Sequence, residues 1–276
     1  MSVVALAAAR GLLTMQEHVS LRDLPSVGIL LASSLTTGFD ERVGALVPAW
    51  RRQAIALTPF VAILSNLSTR TVVAYCIAFE SADEGGRSRQ NLVHFNYPNA
   101  VAGTAPDQTG LPRGREVRPG EERVVGLRFE INPSVDNAWL DEFARQQGDL
   151  AKGLHSLTVE VDAAIFEDGL LVGRDTSGLQ QAFEMYLQAT QGLYQSVVRE
   201  LNAGQTIDAI FASIRASMRQ NREKSFNNPD DREAVYSVQA AGDALQARAR
   251  IGDDKVKEVF ERAIRPVPFT VRREAP

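Results

Sequence analysis

The stretch Leu157-Thr158-Val159-Glu160-Val161-Asp162-Ala163-Ala164-Ile165-Phe166-Glu167-Asp168-Gly169-Leu170-Leu171-Val172-Gly173-Arg174-Asp175 decides the reading of the fold. Side chains alternate along an extended chain. Leu157, Val159, Val161, Ala163 and Ile165 therefore share one face, and Thr158, Glu160 and Asp162 share the other. Glu167-Asp168-Gly169 is turn chemistry, because an Asp-Gly pair supplies the positive φ that a tight hairpin needs. Leu170-Leu171-Val172 returns as a short strand closed by Gly173.

Upstream, the same period of two recurs. Val125, Leu127, Phe129 and Ile131 face inward and Arg128 and Glu130 outward, between Pro119-Gly120-Glu121-Glu122 and Pro133. Thr71 to Glu80 carries Val73, Tyr75, Ile77 and Phe79 on one face and Val72, Ala74, Cys76 and Ala78 on the other. A strand apolar on both faces is a central strand. Phe60 to Leu64 is a short apolar run that Ser65-Asn66-Leu67-Ser68 ends as a turn, and Asp83-Glu84-Gly85-Gly86 makes a second turn. Asn91 to Tyr97 is a weaker strand. Residues 98–120, rich in proline and glycine, read as a long loop, and Trp139, Leu140 and Phe143 as a short helix behind Asp136.

Downstream of Asp175 the period becomes helical. Leu179, Phe183, Tyr186, Leu187, Val197, Val198 and Leu201 form one stripe, ended by Ala203-Gly204. Ile207, Ile210, Phe211, Ile214 and Met218 form a second. Asn227-Asn228-Pro229-Asp230-Asp231 opens a third helix, with an asparagine N-cap, proline at the first helical position and then acids where the dipole favours them. Asp253 opens a fourth, with Val256, Val259, Phe260 and Ile264. The predicted organisation is α+β: an antiparallel β-sandwich over 58–175, a segment of about four helices over 176–265 and an extended, proline-bearing tail over 266–276. Residues 1–57 are the least readable. Leu24-Pro25 breaks any helix begun upstream, Val27 to Leu35 suits a strand or a short helix, and Asp40-Glu41 opens a helix through Val43, Leu46, Val47 and Trp50.

The segments Thr58–Glu80, Arg118–Glu130 and Leu157–Asp175 resemble an immunoglobulin-like or fibronectin-type-III-like sandwich of uncharacterised bacterial proteins. Residues 161–175 carry most of the likeness, which covers less than half the chain and lacks paired cysteines. The resemblance implies binding or scaffolding more than catalysis, and it speaks to fold rather than to family.

Composition narrows the classes further. The chain has 276 residues, of which 44% are hydrophobic and 23% charged, so it can bury a sizeable core. No apolar run reaches the roughly 18–20 residues of a membrane-spanning helix. A net charge of −4 argues against a nucleic-acid binder held by phosphate contacts. The single cysteine, Cys76, excludes an internal disulfide and leaves both export and the cytosol open. Met1 to Arg10 is similar to the tail of a signal peptide but has no positive n-region. It reads either as an atypical export signal, which favours an extracytoplasmic place, or as the first turns of a helix reaching Met15.

No phosphate loop, dinucleotide-binding glycine pattern, zinc-protease helix or nucleophile elbow occurs. No residue carries a catalytic, cofactor-binding or metal-ligating signature. His18, His94 and His155 are far apart in sequence, and His155 reads as a strand-end histidine. Glu160 and Asp162 are a neighbouring carboxylate pair that burial would turn to acid–base use. On an outward face they are expected to be solvated. Glu167, Asp168 and Asp175 flank the hairpin without a calcium-loop spacing. Cys76 reads as a buried thiol. Arg113, Arg115 and Arg118 are offset by Glu116, Glu121 and Glu122, and Trp50 and Trp139 read as packing between segments. The function expected from these observations is non-enzymatic binding or scaffolding, with a protein partner conceivable. The alternatives are a hydrolase using His94, His155 and nearby acids under the 98–120 loop, and a self-associating structural protein.

Overall fold

The computed structural model describes residues 19–34, 36–48, 60–95, 116–126, 146, 154–228, 231–264 and 271–273, with backbone alone at Leu92, His94, Phe95, Phe226 and Asn227. The chain divides into two compact units. The first comprises Met1–Val93, Val117–Ala164 and Val172–Ser177, and the second His94–Glu116, Ile165–Leu171 and Gly178–Pro276.

The larger sheet is built around the quoted stretch. Leu154–Phe166 is strand β7 and Leu170–Gly173 is β8. Gly169 takes φ 82°, and the Asp168 carboxylate accepts from the Leu170 N–H at 3.1 Å, as the turn requires. Val72–Asp83 is β4 and Gly86–Phe95 is β5, joined by two residues and so antiparallel. The short strand β1, Val19–Arg22, adds to β7 in parallel, with Ser20 opposite Thr158 and Arg22 opposite Glu160. Strand order is β5-β4-β7-β8-β9, where β9 is Arg272–Arg273, parallel to β8. The eight residues from Val72 to Phe79 are all buried, as their two apolar faces predict.

The smaller sheet has the order β2-β3-β6, from Ile29–Ala32, Val61–Asn66 and Glu122–Gly126, all antiparallel. Helix α1, Phe39–Leu46, packs with it: Phe39 and Val43 meet Ala32, Val61 and Ile63 in one apolar cluster. Asn66 closes the turn after β3. Its side-chain amide donates to the carbonyls of Arg70 and Val117, both at 2.7 Å, and its Oδ1 accepts from Ser68.

Four helices make up most of the second unit: α2 (Leu179–Asn202), α3 (Ile207–Asn227), α4 (Arg232–Ile251) and α5 (Asp253–Ala263). Thr206 caps α3 and Asp231 caps α4, each accepting from an N–H three residues on. The buried face of α4 is alanine alone (Ala234, Ala240, Ala241, Ala244 and Ala247), which lets it lie close to its neighbours. Tyr194 stacks on Phe260 with ring centroids 4.0 Å apart, and Phe211 lies 6.4 Å from Phe260. Arg248 covers the Phe211 ring and bonds Asp208 and Asp253.

The sandwich expectation is therefore corrected. The larger sheet is a curled half-barrel, the second sheet has three strands, and helix α1 stands among the strands rather than after them. Two pairings, β1 with β7 and β8 with β9, are parallel. The physical reason is that a period of two identifies strands and their faces but not which edges pair or how a sheet closes. β1 comes from the segment least readable as strand, and β9 from the tail. No helix among the described residues is long and apolar enough to cross a membrane.

Candidate functional site

The even-numbered face of β7 carries Ser156, Thr158, Glu160 and Asp162, and register with β1 puts Ser20 and Arg22 beside them. Ser20 and Thr158 share a hydroxyl hydrogen bond of 2.8 Å. On the β4–β5 hairpin, Arg89 bonds Glu80 and Ser81 bonds Ser88, so Glu80 and Arg89 share one face and the two serines the other. Arg89 reaches from β5 across β4 to β7, where its Nη2 donates to the Asp162 carboxylate at 2.8 Å and its Nη1 lies 3.5 Å from Glu160. Four strands thus contribute to one polar face.

Solvation of Glu160 and Asp162 is the second corrected expectation. Glu160 is 5% exposed and Asp162 fully buried. Each is paired instead. Arg174 donates to both oxygens of Glu160 at 2.5 Å. Asp162 accepts from Arg89, from the Thr176 hydroxyl at 2.5 Å and from the Ser177 N–H at 2.8 Å, while its own carbonyl accepts from the Asp175 N–H. Burial opposes the charge on Asp162. The hydroxyl and N–H donors of Thr176 and Ser177, with Arg89, outweigh it and hold the carboxyl below its usual range. Gly173 makes the close approach of this turn to β7 workable: its φ is 90°, and a Cβ there would meet the Asp162 carbonyl oxygen at 2.5 Å.

Above this framework lies a cleft of about 340 Å³ lined by Arg22, Arg87, Arg89, Glu80, Ser156 and Thr158, with Ala82 its one apolar side chain. Arg22 and Arg87 take no ion-pair partner among the described residues. Glu80 spends Oε1 on Arg89, and its carboxylate is 37% exposed. The arrangement can bind; its buried acids already accept hydrogen bonds from Arg89, Arg174, Thr176 and Ser177.

Most of the other residues singled out in the sequence fall elsewhere. His155 is exposed at the start of β7, out of phase with the polar face and outside the cleft lining. His18, Trp50, Arg113, Arg115 and Trp139 lie outside the described residues, and His94 is described by its backbone in β5. Cys76 is buried, and burial pushes its thiol up to about 11 despite the Ser177 hydroxyl beside it. Glu122 bonds Arg42 of α1 and Ser65, not the loop arginines, and those bonds hold its carboxyl low against burial. Glu116 is buried, and the Glu121 carboxylate accepts from the Arg118 N–H at 3.0 Å. Asp168 also receives Arg272 at 3.2 Å. Asp175 takes φ 54°, in the turn pinned to Asp162. No group of three or more His, Cys, Asp or Glu among the described residues is placed to hold a metal ion. A second hollow, between α2, α3 and α4, is lined mainly by small side chains such as Gly192, Ser213, Ser217 and Ala240.

Sequence reasoning missed Arg22, Arg87 and Arg89. Their signal was faint: Arg87 and Arg89 alternate after the Gly85-Gly86 turn, in phase with an arginine face. Against family models, curated proteins and solved structures, the chain matches none.

Proposed function

We propose that the protein is a non-catalytic binding protein whose recognition surface is the polar face of the larger sheet in its first unit. One observation carries the reading: the cleft presents two guanidinium groups without an ion-pair partner among the described residues, Arg22 and Arg87, over a framework in which Glu160 and Asp162 are held by Arg174 and Arg89. Asp162 is held ionised by hydrogen-bond donors, which suits a fixed acceptor and not an acid–base catalyst working near neutral pH. The hydrolase alternative drew on His94, His155 and nearby acids in a concave site, and the lining of this cleft includes no histidine among the described residues. A framework fixed before the ligand arrives lowers the ordering cost of binding.

The test has two arms. A thermal-shift screen of polar anions is expected to raise the melting temperature in a manner that saturates. Panels of ester and phosphomonoester substrates are expected to show no turnover. Turnover that falls in Glu160→Gln would overturn the reading.

A further inference from the structure

We infer that the cleft takes a small phosphorylated polyol, of the sugar-phosphate class. The inference rests on the binding reading above and names its ligand. Arg22 enters from β1 and Arg87 from β5, strands separated by β7 and β4. Three strand spacings separate β1 from β5 by about 14 Å across the sheet. Both arginines line the same cleft, whose volume of about 340 Å³ admits a compact ligand. Guanidinium pairs match the geometry of a phosphoryl group, whose oxygens accept several N–H donors at once.

The rest of the lining selects the ligand's body. A bare anion gains nothing from a carboxylate in its site. Glu80 Oε2, which takes no hydrogen bond among the described residues, is an acceptor waiting for a hydroxyl donor. The hydroxyls of Ser156 and Thr158 give and accept in the same space, and Ala82 is the one apolar side chain there. A ligand that is an oxyanion at one end and hydroxyl-rich over the rest satisfies every group; an aromatic or acyl body satisfies none. The acids beneath are paired with Arg89 and Arg174, which offset their charge, and Arg22 and Arg87 add two further positive charges at the cleft.

Isothermal titration calorimetry of the whole chain with glucose 6-phosphate, ribose 5-phosphate and glycerol 3-phosphate tests this, with glucose and inorganic phosphate as references. Saturable binding of at least one phosphorylated polyol is expected, tighter than either reference. Arg22→Ala and Arg87→Ala should each weaken it at least tenfold. Both residues are exposed on the sheet, and an unchanged circular dichroism spectrum shows that each variant is folded. Failure of all three polyol phosphates to bind, binding of inorganic phosphate just as tightly, or affinity unmoved in both variants would overturn the assignment. Release of inorganic phosphate from a bound probe would keep the ligand class and overturn the non-catalytic reading, so the two failures are distinguishable.

Discussion

Asp162 shows how much one buried carboxylate organises. It joins Arg89 of β5 to the turn at Thr176 and Ser177, and replacing it with alanine strands several donors at once. Asp162→Ala is expected to cost about 3 kcal/mol in urea unfolding, the lower end for breaking a buried pair because Arg89 keeps access to water. The pH dependence follows from the lowered carboxyl. A group whose folded pKa lies below its unfolded value stabilises above the unfolded value and loses that stability as pH falls through the folded one. The Asp162 contribution is therefore intact above the ordinary aspartate value of 3.8 and declines below it. Urea midpoints measured from pH 6 to pH 2 should fall more steeply at the acid end in the native protein than in Asp162→Asn.

At the scale of elements, the turn after β8 and the helix caps are the sensitive points. Gly173→Ala forces a side chain into the left-handed region and against the Asp162 carbonyl. We expect a loss of about 2 kcal/mol or more, read as a lowered urea midpoint. Asp231→Ala removes the acceptor of the Ala234 N–H at the start of α4 and is expected to cost about 1 kcal/mol, seen by helical circular dichroism on heating. Strand and helix identity was legible from periodicity at these elements. β7 and β8 stand where the alternation of Leu157 to Ile165 and the Asp168-Gly169 turn place them. The α4 cap falls on Asp231 and the helix begins at Arg232, later than the expected asparagine cap with Pro229 at the first helical position. β5 is longer than its apolar residues signal, because Gly86–Gln90 pairs through the backbone and carries polar side chains that leave no apolar alternation to read.

For the whole molecule, net charge and core determine the bulk behaviour. With a pI of about 5.5, solubility measured by turbidity should pass through its minimum near that pH, where charge repulsion between molecules vanishes. In the helical unit Phe260 stacks on Tyr194 and packs near Phe211, fully buried. Phe260→Ala is expected to lose about 3–5 kcal/mol of stability, measured by chemical unfolding followed at the helical signal.

The sequence by itself determined where chain direction and burial alternate: the long strand at Leu157, the doubly apolar strand from Val72 and the four amphipathic helices after Asp175. Those features depend on neighbours a few residues away, and periodicity records them. Sheet closure, the parallel addition of Val19–Arg22 and the location of the cleft were decided by the tertiary structure alone. Glu160 and Asp162 illustrate why. Alternation correctly places them opposite Val159 and Val161, but whether that opposite face meets water or meets Arg89 and Arg174 depends on residues up to 73 positions away. A carboxylate carries the same local pattern in either setting; only the fold supplies the cation that makes its burial stable.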